Sequence, residues 1–295
     1  MKEEPVPKIP HDFTARRLQS LAGFVFLLFL IEHLLTNSQA TLFLGDDGRG
    51  FIDAVNFIHS LPYLQLIEIT FIGLPILAHV WWGIKRLRMA KLNSRSLPYA
   101  RNVAFTWQRI TSVLLIVGVF LHVSYMRFLK QPQEISSGAY QEYLVKLSVD
   151  PGLYTVAPRL NLKLIDQKML DKIEKEKKLP FQAPFVENKI LGDLKNQTLG
   201  PNEVLALSDN VGVSFLLVLR DTYKSIWLSV LYSLFVVIAA FHACNGLWTF
   251  AITWGISLSE RSRQLVRVVS NVLMALLVFF GFVCIWGVYW INLRY

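Results

Sequence analysis

Four histidines stand out because each lies late in a long apolar segment, where an ionisable side chain is costly and usually marks a functional site. They are His33, His79, His122 and His242. A single histidine of this kind is often a core residue bonded to a neighbouring helix. Four of them in four segments indicate a chemistry that uses imidazoles in pairs, and imidazole nitrogen is a common metal ligand.

The segments around these histidines are long and apolar enough to cross a lipid bilayer. Of the 295 residues, 53% are hydrophobic and 17% are charged, whereas soluble proteins carry about 25% charged residues. A spanning helix needs about 20 apolar residues. We therefore predict an all-α integral membrane protein with five transmembrane helices in a bundle. The predicted spans cover residues 18–38, 62–84, 107–127, 226–254 and 266–290.

Basic residues set the predicted orientation of these spans. The short loops after the second and fourth spans are rich in arginine and lysine, and such loops stay in the cytoplasm. The N-terminus is then cytoplasmic and the C-terminus lies outside. The net charge of +9 follows from this bias, so we predict no nucleic-acid partner. The first apolar run resembles a signal peptide, but its length and His33 favour an uncleaved span.

The spans divide the chain into three parts. Residues 1–129 hold a cytoplasmic tail and spans one to three, residues 130–222 form a soluble insertion on the outer side, and residues 223–295 hold spans four and five. Between spans one and two, apolar residues at 51, 54, 55 and 58 predict an amphipathic helix at the membrane surface. His59 lies at the end of that helix, outside membrane depth, and is not counted with the four.

The depths of the four histidines arrange them in two pairs. With a rise of about 1.5 Å per residue, His33 and His122 lie ~22 Å and ~20 Å from the inner ends of spans one and three. His79 and His242 lie ~25 Å and ~24 Å from the outer ends of spans two and four. His33 with His122 is therefore predicted to form an outer site, and His79 with His242 an inner site, about 12–15 Å away along the membrane normal.

Two pairs of imidazoles predict two stacked haem b groups, each held by two histidines. Zinc would need a tighter cluster of ligands, and four unrelated core histidines at matched depths would be a coincidence. Gly83 and Gly246 follow His79 and His242 by four residues, on the same helix face, where they would leave room for a porphyrin edge. Trp248 is a candidate for lining the same pocket, or for an ordinary place in the aromatic belt.

Basic and polar residues near the inner ends of the spans are candidates for binding the negatively charged haem propionates. They are Arg16, Arg17, Ser20 and Arg109. The arginines would serve equally well as topology determinants, and the sequence leaves both roles open.

Glu68 is the candidate for proton handling. It lies about six residues into span two, and carboxylates at such a depth are rare and often carry protons. We predict a quinone or proton role for Glu68, with a hydrogen-bonded structural role as the alternative.

Five motifs together resemble the cytochrome b558 membrane anchors of bacterial succinate dehydrogenases. They are RRLQSL (16–21), EHLLTN (32–37), HSLP (59–62), WQRIT (107–111) and FHACNGLWTF (241–250). The resemblance is to the single-anchor, two-haem type that is related to quinol:fumarate reductase anchors. It covers roughly residues 1–130 and 223–295 and includes all four histidines in order. The insertion is longer than the usual connection in this family, so its role stays open.

The resemblance implies two bis-histidine haem b groups with the same pairings. It implies a multi-pass protein of the bacterial cytoplasmic (inner) membrane that binds a flavoprotein subunit and an iron–sulfur subunit on the cytoplasmic side. Succinate would be oxidised on the flavoprotein, and electrons would pass through the inner and outer haems to a membrane quinone, with menaquinone as the expected species. The chain would thus be the anchor and quinone-reacting subunit of a succinate:quinone oxidoreductase.

Three functions compete at this point. The first is the succinate dehydrogenase anchor, in which the direction of electron flow, and so the distinction from quinol:fumarate reductase, is open. The second is a two-haem cytochrome b anchor of another respiratory dehydrogenase, such as a formate dehydrogenase or a hydrogenase. The third is a haem-free transporter or signalling protein, which would more often contain internal repeats and broken helices.

Overall fold

The computed structural model describes residues 11–89, 94–137, 140–180, 187–194 and 197–294. The first ten residues of the predicted cytoplasmic tail lie outside the described residues. Within the described ranges, five helices are long and apolar enough to cross a membrane, as the sequence predicts. These spans, numbered one to five, are Asp12–Ser38, Leu64–Met89, Ala100–Leu129, Ile226–Thr253 and Glu260–Asn292.

The spans extend beyond the apolar stretches that predict them. Span one begins at Asp12 and span five at Glu260, each about two turns earlier than expected. Hydropathy detects only the apolar part of a helix, whereas the backbone hydrogen bonds continue into polar residues outside the hydrocarbon. Span two begins at Leu64 rather than at Pro62, because Tyr63 takes a left-handed conformation with a φ of 57° at the N-cap.

Two spans contain π-helical segments, which are rare and frequently occur at functional sites. In span two the segment is Ile69–Gly73, and in span three it is Ser124–Leu129. The α-helical parts of these spans are Leu64–Glu68, Leu74–Met89 and Ala100–Val123. The sequence analysis predicts neither π segment, because both lie within ordinary apolar helical patterns.

The described chain divides into two compact units. The first unit consists of the segment that ends at Leu34, with Tyr63–Phe120 and Leu234–Phe279. All five spans contribute to it, and its described residues form helices and short connections, with no strand. Aromatic stacking packs its helices, as between Phe24 and Phe250, whose ring centroids are 4.5 Å apart. The predicted all-α architecture holds for this unit.

The second unit consists of Leu35–Pro62, Leu121–Ser233 and the segment from Phe280 onward. It contains a four-stranded antiparallel sheet in the order β1-β2-β4-β3, which the all-α prediction missed. The strands are β1 Gln133–Ser137, β2 Tyr140–Ser148, β3 Lys163–Ile165 and β4 Glu203–Ser208. The helices outside the spans are the loop helix Arg49–Ser60, three short helices Pro151–Val156, Gln167–Glu176 and Glu187–Leu194, and the insertion helix Val211–Thr222.

Alternate residues of the sheet face two hydrophobic cores, because successive side chains of a strand point to opposite faces. On β4, Leu205 and Leu207 belong to one core, and Val204 and Ala206 belong to the other. Residues of two short helices complete the first core. The insertion helix and Ile52 of the loop helix complete the second. A sheet that is buried on both faces explains why β4 is an almost continuous apolar run.

The loop helix confirms that an amphipathic helix lies between spans one and two. The sequence predicts that its apolar face covers the membrane surface, whereas in the structure this face is buried against protein, because the insertion helix lies over it. Phe51, Ile52 and Val55 are its buried residues, and its apolar face packs on the insertion helix. The two helices approach closely at Gly212, whose backbone N–H donates a hydrogen bond to Asn56 Oδ1 at 2.9 Å. A Cβ atom on Gly212 would lie 2.4 Å from the carbonyl oxygen of Ile52.

Buried charges fasten the insertion helix to the end of span five. Arg220 donates from Nη2 to Asp150 Oδ1 and from Nε to Asn292 Oδ1, both at 2.7 Å. The amide of Asn292 donates to the carbonyl oxygen of Arg220 at 2.9 Å. Burial lowers the pKa of Arg220, and the charge of Asp150 opposes that shift. Burial would raise the pKa of the neighbouring Asp221, but its hydrogen bonds, led by those from Ser148, outweigh burial and lower it.

We expect the Gly212→Ala variant to be destabilised by about 1–3 kcal/mol, because the added methyl group must displace the backbone of the loop helix. The measurement is thermal unfolding of the detergent-solubilised full chain. Gly192→Ala is the matched control, since a Cβ atom at this helical glycine meets nothing within 4 Å. The control should be neutral or gain up to about 1 kcal/mol. Equal midpoints for the two variants would show that the contact at Gly212 does not limit stability.

Candidate functional site

His79 of span two and His242 of span four lie side by side in the first unit. Their ring centroids are 6.2 Å apart, and the two ring planes are nearly perpendicular, at 83°. Both side chains are half-buried between helices. The structure therefore brings together the two residues that depth assigned to an inner site.

The hydrogen bond on His79 fixes which nitrogen of the imidazole is free. His79 Nδ1 lies 3.0 Å from the carbonyl oxygen of Gln19 in span one. A carbonyl oxygen can only accept, so Nδ1 carries the proton of the neutral ring and Nε2 keeps its lone pair. This is the second-shell arrangement that orients a metal-binding histidine.

A threonine does the same for His242. Thr111 Oγ1 lies 3.1 Å from His242 Nδ1 and donates its own hydrogen to the carbonyl oxygen of Trp107 at 2.8 Å. The hydroxyl oxygen is then left to accept from Nδ1–H, so Nε2 of His242 also keeps its lone pair. Both imidazoles are thus held through Nδ1 and offer Nε2 as a ligand.

Amide side chains lock span three to span four beside this pair. Gln108 Nε2 donates to the carbonyl oxygen of His242 at 3.0 Å, and Asn245 Nδ2 donates to Gln108 Oε1 at 2.7 Å. A buried amide that uses both of its ends in this way costs little and fixes the register of the two helices.

The glycine that makes room for His79 is Gly23 of span one. A Cβ atom on Gly23 would lie 2.7 Å from His79 Cε1, so only glycine fits here. The sequence analysis assigned a different role, room for a porphyrin edge, to Gly83 and Gly246. A Cβ atom on these residues would lie 3.4 Å from Gln19 Nε2 and 3.8 Å from Gln108 Nε2. Their place beside a porphyrin stays a prediction.

The spacing of the pair fits a single metal ion held by both Nε2 atoms. An imidazole nitrogen binds a transition metal at about 2 Å and lies about 1.1 Å from the ring centre, so two ligands on opposite sides have centroids about 6.2 Å apart. Within the part of the chain that the structure describes, no group of three or more His, Cys, Asp or Glu residues could hold a metal. Two imidazoles alone suit a metal whose other ligands come from a macrocycle.

Two of the four predicted propionate ligands have unused donors. The guanidinium groups of Arg17 and Arg109 lie over the rings of Phe13 and Phe105, at 4.2 Å and 3.2 Å from the centroids. Each buries an Nε–H group that has no acceptor among the described residues. A buried donor without an acceptor is costly, so both sites favour an anionic group from outside the described residues.

Further positive charge lies near these residues. Arg86 is close enough to Arg16 and to Arg109 to interact electrostatically with both, and Asp12 is the acidic residue within the same range. Arg16 is exposed, and Ser20, one turn further along span one, is half-buried. The positive charges of these arginines repel one another, and an anion bound among them would offset that repulsion.

The predicted outer pair is divided between the two units. His33 belongs to the first unit, where its ring centroid is 5.3 Å from that of Phe29. His122 belongs to the second unit, where its Nδ1 lies 3.3 Å from the hydroxyl oxygen of Tyr232. The pairing of His33 with His122 stays a prediction.

Glu68 lies apart from the inner pair. It is half-buried and is the last residue before the π-helical segment of span two. Eleven positions separate it from His79, or about 16 Å along a helix. The quinone or proton role of Glu68 also stays a prediction.

Comparison with known proteins identifies one curated relative across nearly the whole chain. The succinate dehydrogenase cytochrome b558 subunit of Bacillus subtilis is 24% identical over 271 residues, which cover 92% of this chain and 94% of the relative. This chain resembles a succinate dehydrogenase anchor. The match confirms the resemblance that the motifs indicated, and with the five spans it supports a multi-pass membrane protein. No family model matches the chain.

Sequence reasoning missed the residues that orient the two imidazoles. Thr111 lies in the WQRIT motif and Gln19 in the RRLQSL motif, so the resemblance pointed at both segments. It did not show that Gln19 acts through its backbone or that Thr111 faces His242. Gly23 carried no signal, since a glycine in an apolar helix looks the same whether or not a neighbouring side chain needs its space.

Proposed function

We propose that this chain is the di-haem cytochrome b membrane anchor of a succinate dehydrogenase. It would carry electrons from flavoprotein and iron–sulfur partner subunits on the cytoplasmic side of a bacterial inner membrane to a quinone, with menaquinone as the expected species. The observation that carries the proposal is the His79–His242 pair, with its 6.2 Å spacing and its two Nδ1 hydrogen bonds. The resemblance to the Bacillus subtilis subunit supports the choice of complex.

In this proposal His79 and His242 would hold the iron of the inner haem b, and His33 and His122 would hold that of the outer one. Bound haem supplies reversible one-electron chemistry at its iron. The chain holds both imidazoles of the inner pair neutral and oriented, with Nδ1–H donated to Gln19 and Thr111.

Arg17 and Arg109 are the proposed partners of the inner haem propionates, with Arg16 and Ser20 as further candidates. The buried Nε–H groups of Arg17 and Arg109 lack acceptors in the described part of the chain, and a carboxylate would provide them. Charge-assisted hydrogen bonds of this kind are about twice as strong as neutral ones. They would also offset the repulsion between these arginines and Arg86.

Glu68 is proposed to exchange protons with the quinone. The basic loops predict a cytoplasmic N-terminus, so the start of span two would lie near the outer face. A half-buried carboxylate there, beside a π-helical segment, can accept or release a proton as the quinone is reduced. Succinate itself would react on the flavoprotein partner.

The test is a reduced-minus-oxidised visible spectrum of the purified full chain, with quantitation of haem as the pyridine haemochrome. We expect two haem b groups per chain in the wild type. His79→Ala and His242→Ala should each retain one or fewer, because the inner haem would lose one of its two proposed protein ligands. His59→Ala is the control and should retain two, since His59 is exposed and its Nδ1 bonds to Val55 O within its own helix.

A folded wild-type preparation without haem would overturn the proposal and favour a transporter or signalling protein. Two haems in both inner-pair variants would overturn the ligand assignment alone. Co-purification with a flavoprotein that reduces fumarate but does not oxidise succinate would assign the anchor to a fumarate reductase.

We expect Gly23→Ala to lower inner haem content as severely as His79→Ala, because the methyl group would displace the imidazole ring. Gly83→Ala is the matched control in the facing span. Its Cβ would meet only the flexible amide of Gln19, at 3.4 Å, so haem content should stay at two per chain. Haem content is measured as the pyridine haemochrome, as above. Full haem content in Gly23→Ala would contradict the close approach of span one to the His79 ring.

We expect Thr111→Val to raise the reduction potential of one haem by about 40 mV, which corresponds to the loss of one hydrogen bond of about 1 kcal/mol. An acceptor on Nδ1–H makes the imidazole a stronger donor and favours the oxidised iron. Thr106→Val is the control, because its hydroxyl bonds to Asn102 O within the same helix. Potentiometric titration of the full chain gives both values, and an unchanged potential in Thr111→Val would remove Thr111 from its positioning role.

A further inference from the structure

His122, one of the two proposed outer ligands, has a hydrogen-bond partner on span four. Its Nδ1 atom lies 3.3 Å from the hydroxyl oxygen of Tyr232, and the two ring centroids are 5.7 Å apart at an angle of 78°. Both side chains are half-buried. Leu121 and Val123, which flank His122 in the sequence, are exposed. Span three therefore presents His122 on the side that meets Tyr232.

This contact repeats the arrangement at the inner pair. A neutral imidazole that binds a metal through Nε2 carries its proton on Nδ1, and in apolar surroundings that N–H group needs an acceptor. At the inner pair the acceptors are the carbonyl oxygen of Gln19 and the hydroxyl oxygen of Thr111. The hydroxyl oxygen of Tyr232 occupies the corresponding place beside His122, so the surroundings of His122 fit a haem ligand.

A second tyrosine, from the insertion, supports the ring of Tyr232. Tyr223 ends the insertion helix, where its N–H group donates to the carbonyl oxygen of Leu219 at 3.1 Å. Its side chain is buried, and its ring meets that of Tyr232 edge to face, with centroids 5.6 Å apart at an angle of 88°. Edge-to-face aromatic pairs at this spacing are favourable and directional. The insertion thus restricts the positions that Tyr232 can take.

Both helices that meet at His122 are attached to the insertion. On the side of span four, the buried network of Arg220 fixes the end of the insertion helix, three residues before Tyr223. On the side of span three, Met126 follows His122 by four residues and packs against the second core of the insertion. The hydrogen bond of His122 therefore depends on how the insertion is placed.

We propose that Tyr232 is a positioning residue for His122 and that the insertion holds Tyr232 in place through Tyr223. The hydroxyl oxygen of Tyr232 would accept from Nδ1–H and make the imidazole a stronger donor to iron. Because His122 holds the outer haem only in the proposed function, this role rests on that function. It gives the insertion, whose role the sequence leaves open, a share in setting the reduction potential at the outer site.

The direction of the hydrogen bond separates this role from a purely structural contact. If the phenol donated to Nδ1 instead, the ring proton would lie on Nε2. His122 could then not bind iron through Nε2, and Tyr232 would only join span three to span four. Removal of the hydroxyl group would change a reduction potential in the first case and none in the second.

The test is potentiometric titration of both haems in the purified full chain. Tyr232→Phe keeps the ring and removes the hydroxyl group. A length of 3.3 Å makes this a weak hydrogen bond. We therefore expect the equilibrium constant for reduction of one haem to rise about threefold, or about 28 mV at about 59 mV per tenfold change. The haem that moves should be the one that Thr111→Val leaves unchanged, with haem content still at two per chain.

Tyr223→Phe is the matched control, because it removes a neighbouring phenol hydroxyl group and leaves the ring contact with Tyr232. Its two potentials should equal those of the wild type. Tyr223→Leu removes the ring and should shift the same haem as Tyr232→Phe, in the same direction, by up to about threefold. The double variant Tyr223→Leu/Tyr232→Phe should equal Tyr232→Phe, because Tyr223 acts only through the hydroxyl group of Tyr232.

Two haems with unmoved potentials in Tyr232→Phe would overturn the role of Tyr232 and leave the proposed function intact. A shift of the haem that Thr111→Val also shifts would overturn that role as well. A shift in Tyr223→Leu that persists in the Tyr232→Phe background would overturn the link from the insertion. A folded wild-type preparation without haem would overturn the proposed function, and this role with it.

Discussion

The two hydrogen bonds on Nδ1 of His79 and His242 are the interactions on which the first unit depends. In an apolar interior a neutral imidazole must satisfy its N–H group, and whichever nitrogen donates leaves the other as an acceptor or ligand. Here the acceptors come from spans one and three, so the pair of histidines from spans two and four fixes the positions of four helices. The same constraint explains why residue 23 is a glycine. Span one must lie close enough for the carbonyl of Gln19 to reach the ring, and at that distance the helix has no room for a methyl group.

The second unit has a different organising constraint, which is the burial of a sheet on both faces. Its central strand β4 alternates between two cores, and each core needs helices of its own to cover it. The insertion supplies helices for one face. For the other face it uses the insertion helix together with the loop helix, which comes from a distant part of the sequence. The fit at Gly212 and the buried Arg220–Asp150–Asn292 network hold these pieces where the sheet requires them.

The sequence predicts what depends on hydropathy and helical rise. Spans, the loop helix and the depths of the histidines all follow from one-dimensional patterns, and the structure has the five spans and the loop helix where these patterns indicate them. Helix ends are predicted less well, since polar residues such as Asp12 and Glu260 continue the helix without any hydropathy signal. The sheet was missed because β4 lacks the polar–apolar alternation that marks a half-exposed strand.

In the candidate site, too, one-dimensional patterns predict some features and miss those that depend on contacts between helices. Depth pairs His79 with His242, and the structure has the two rings next to each other, while their role as haem ligands is a proposal. Thr111 and Gly23 could not be predicted, because their significance depends on which face of one helix meets which face of another. Gly83 and Gly246 keep their predicted role beside a porphyrin edge as a prediction, and the side chains that face them are those of Gln19 and Gln108.

The shared core of the second unit has a consequence for how the insertion relates to the rest of the chain. An insertion that folds by itself can be removed, or moved to another host, without harm to what remains. This one is not modular in that sense. Its removal would uncover the apolar face of Phe51, Ile52 and Val55 and would free the end of span five from Arg220. A shorter anchor must therefore cover its loop helix by other means, and the gain or loss of this segment requires matching changes at Leu35–Pro62 and at the last turn of the chain.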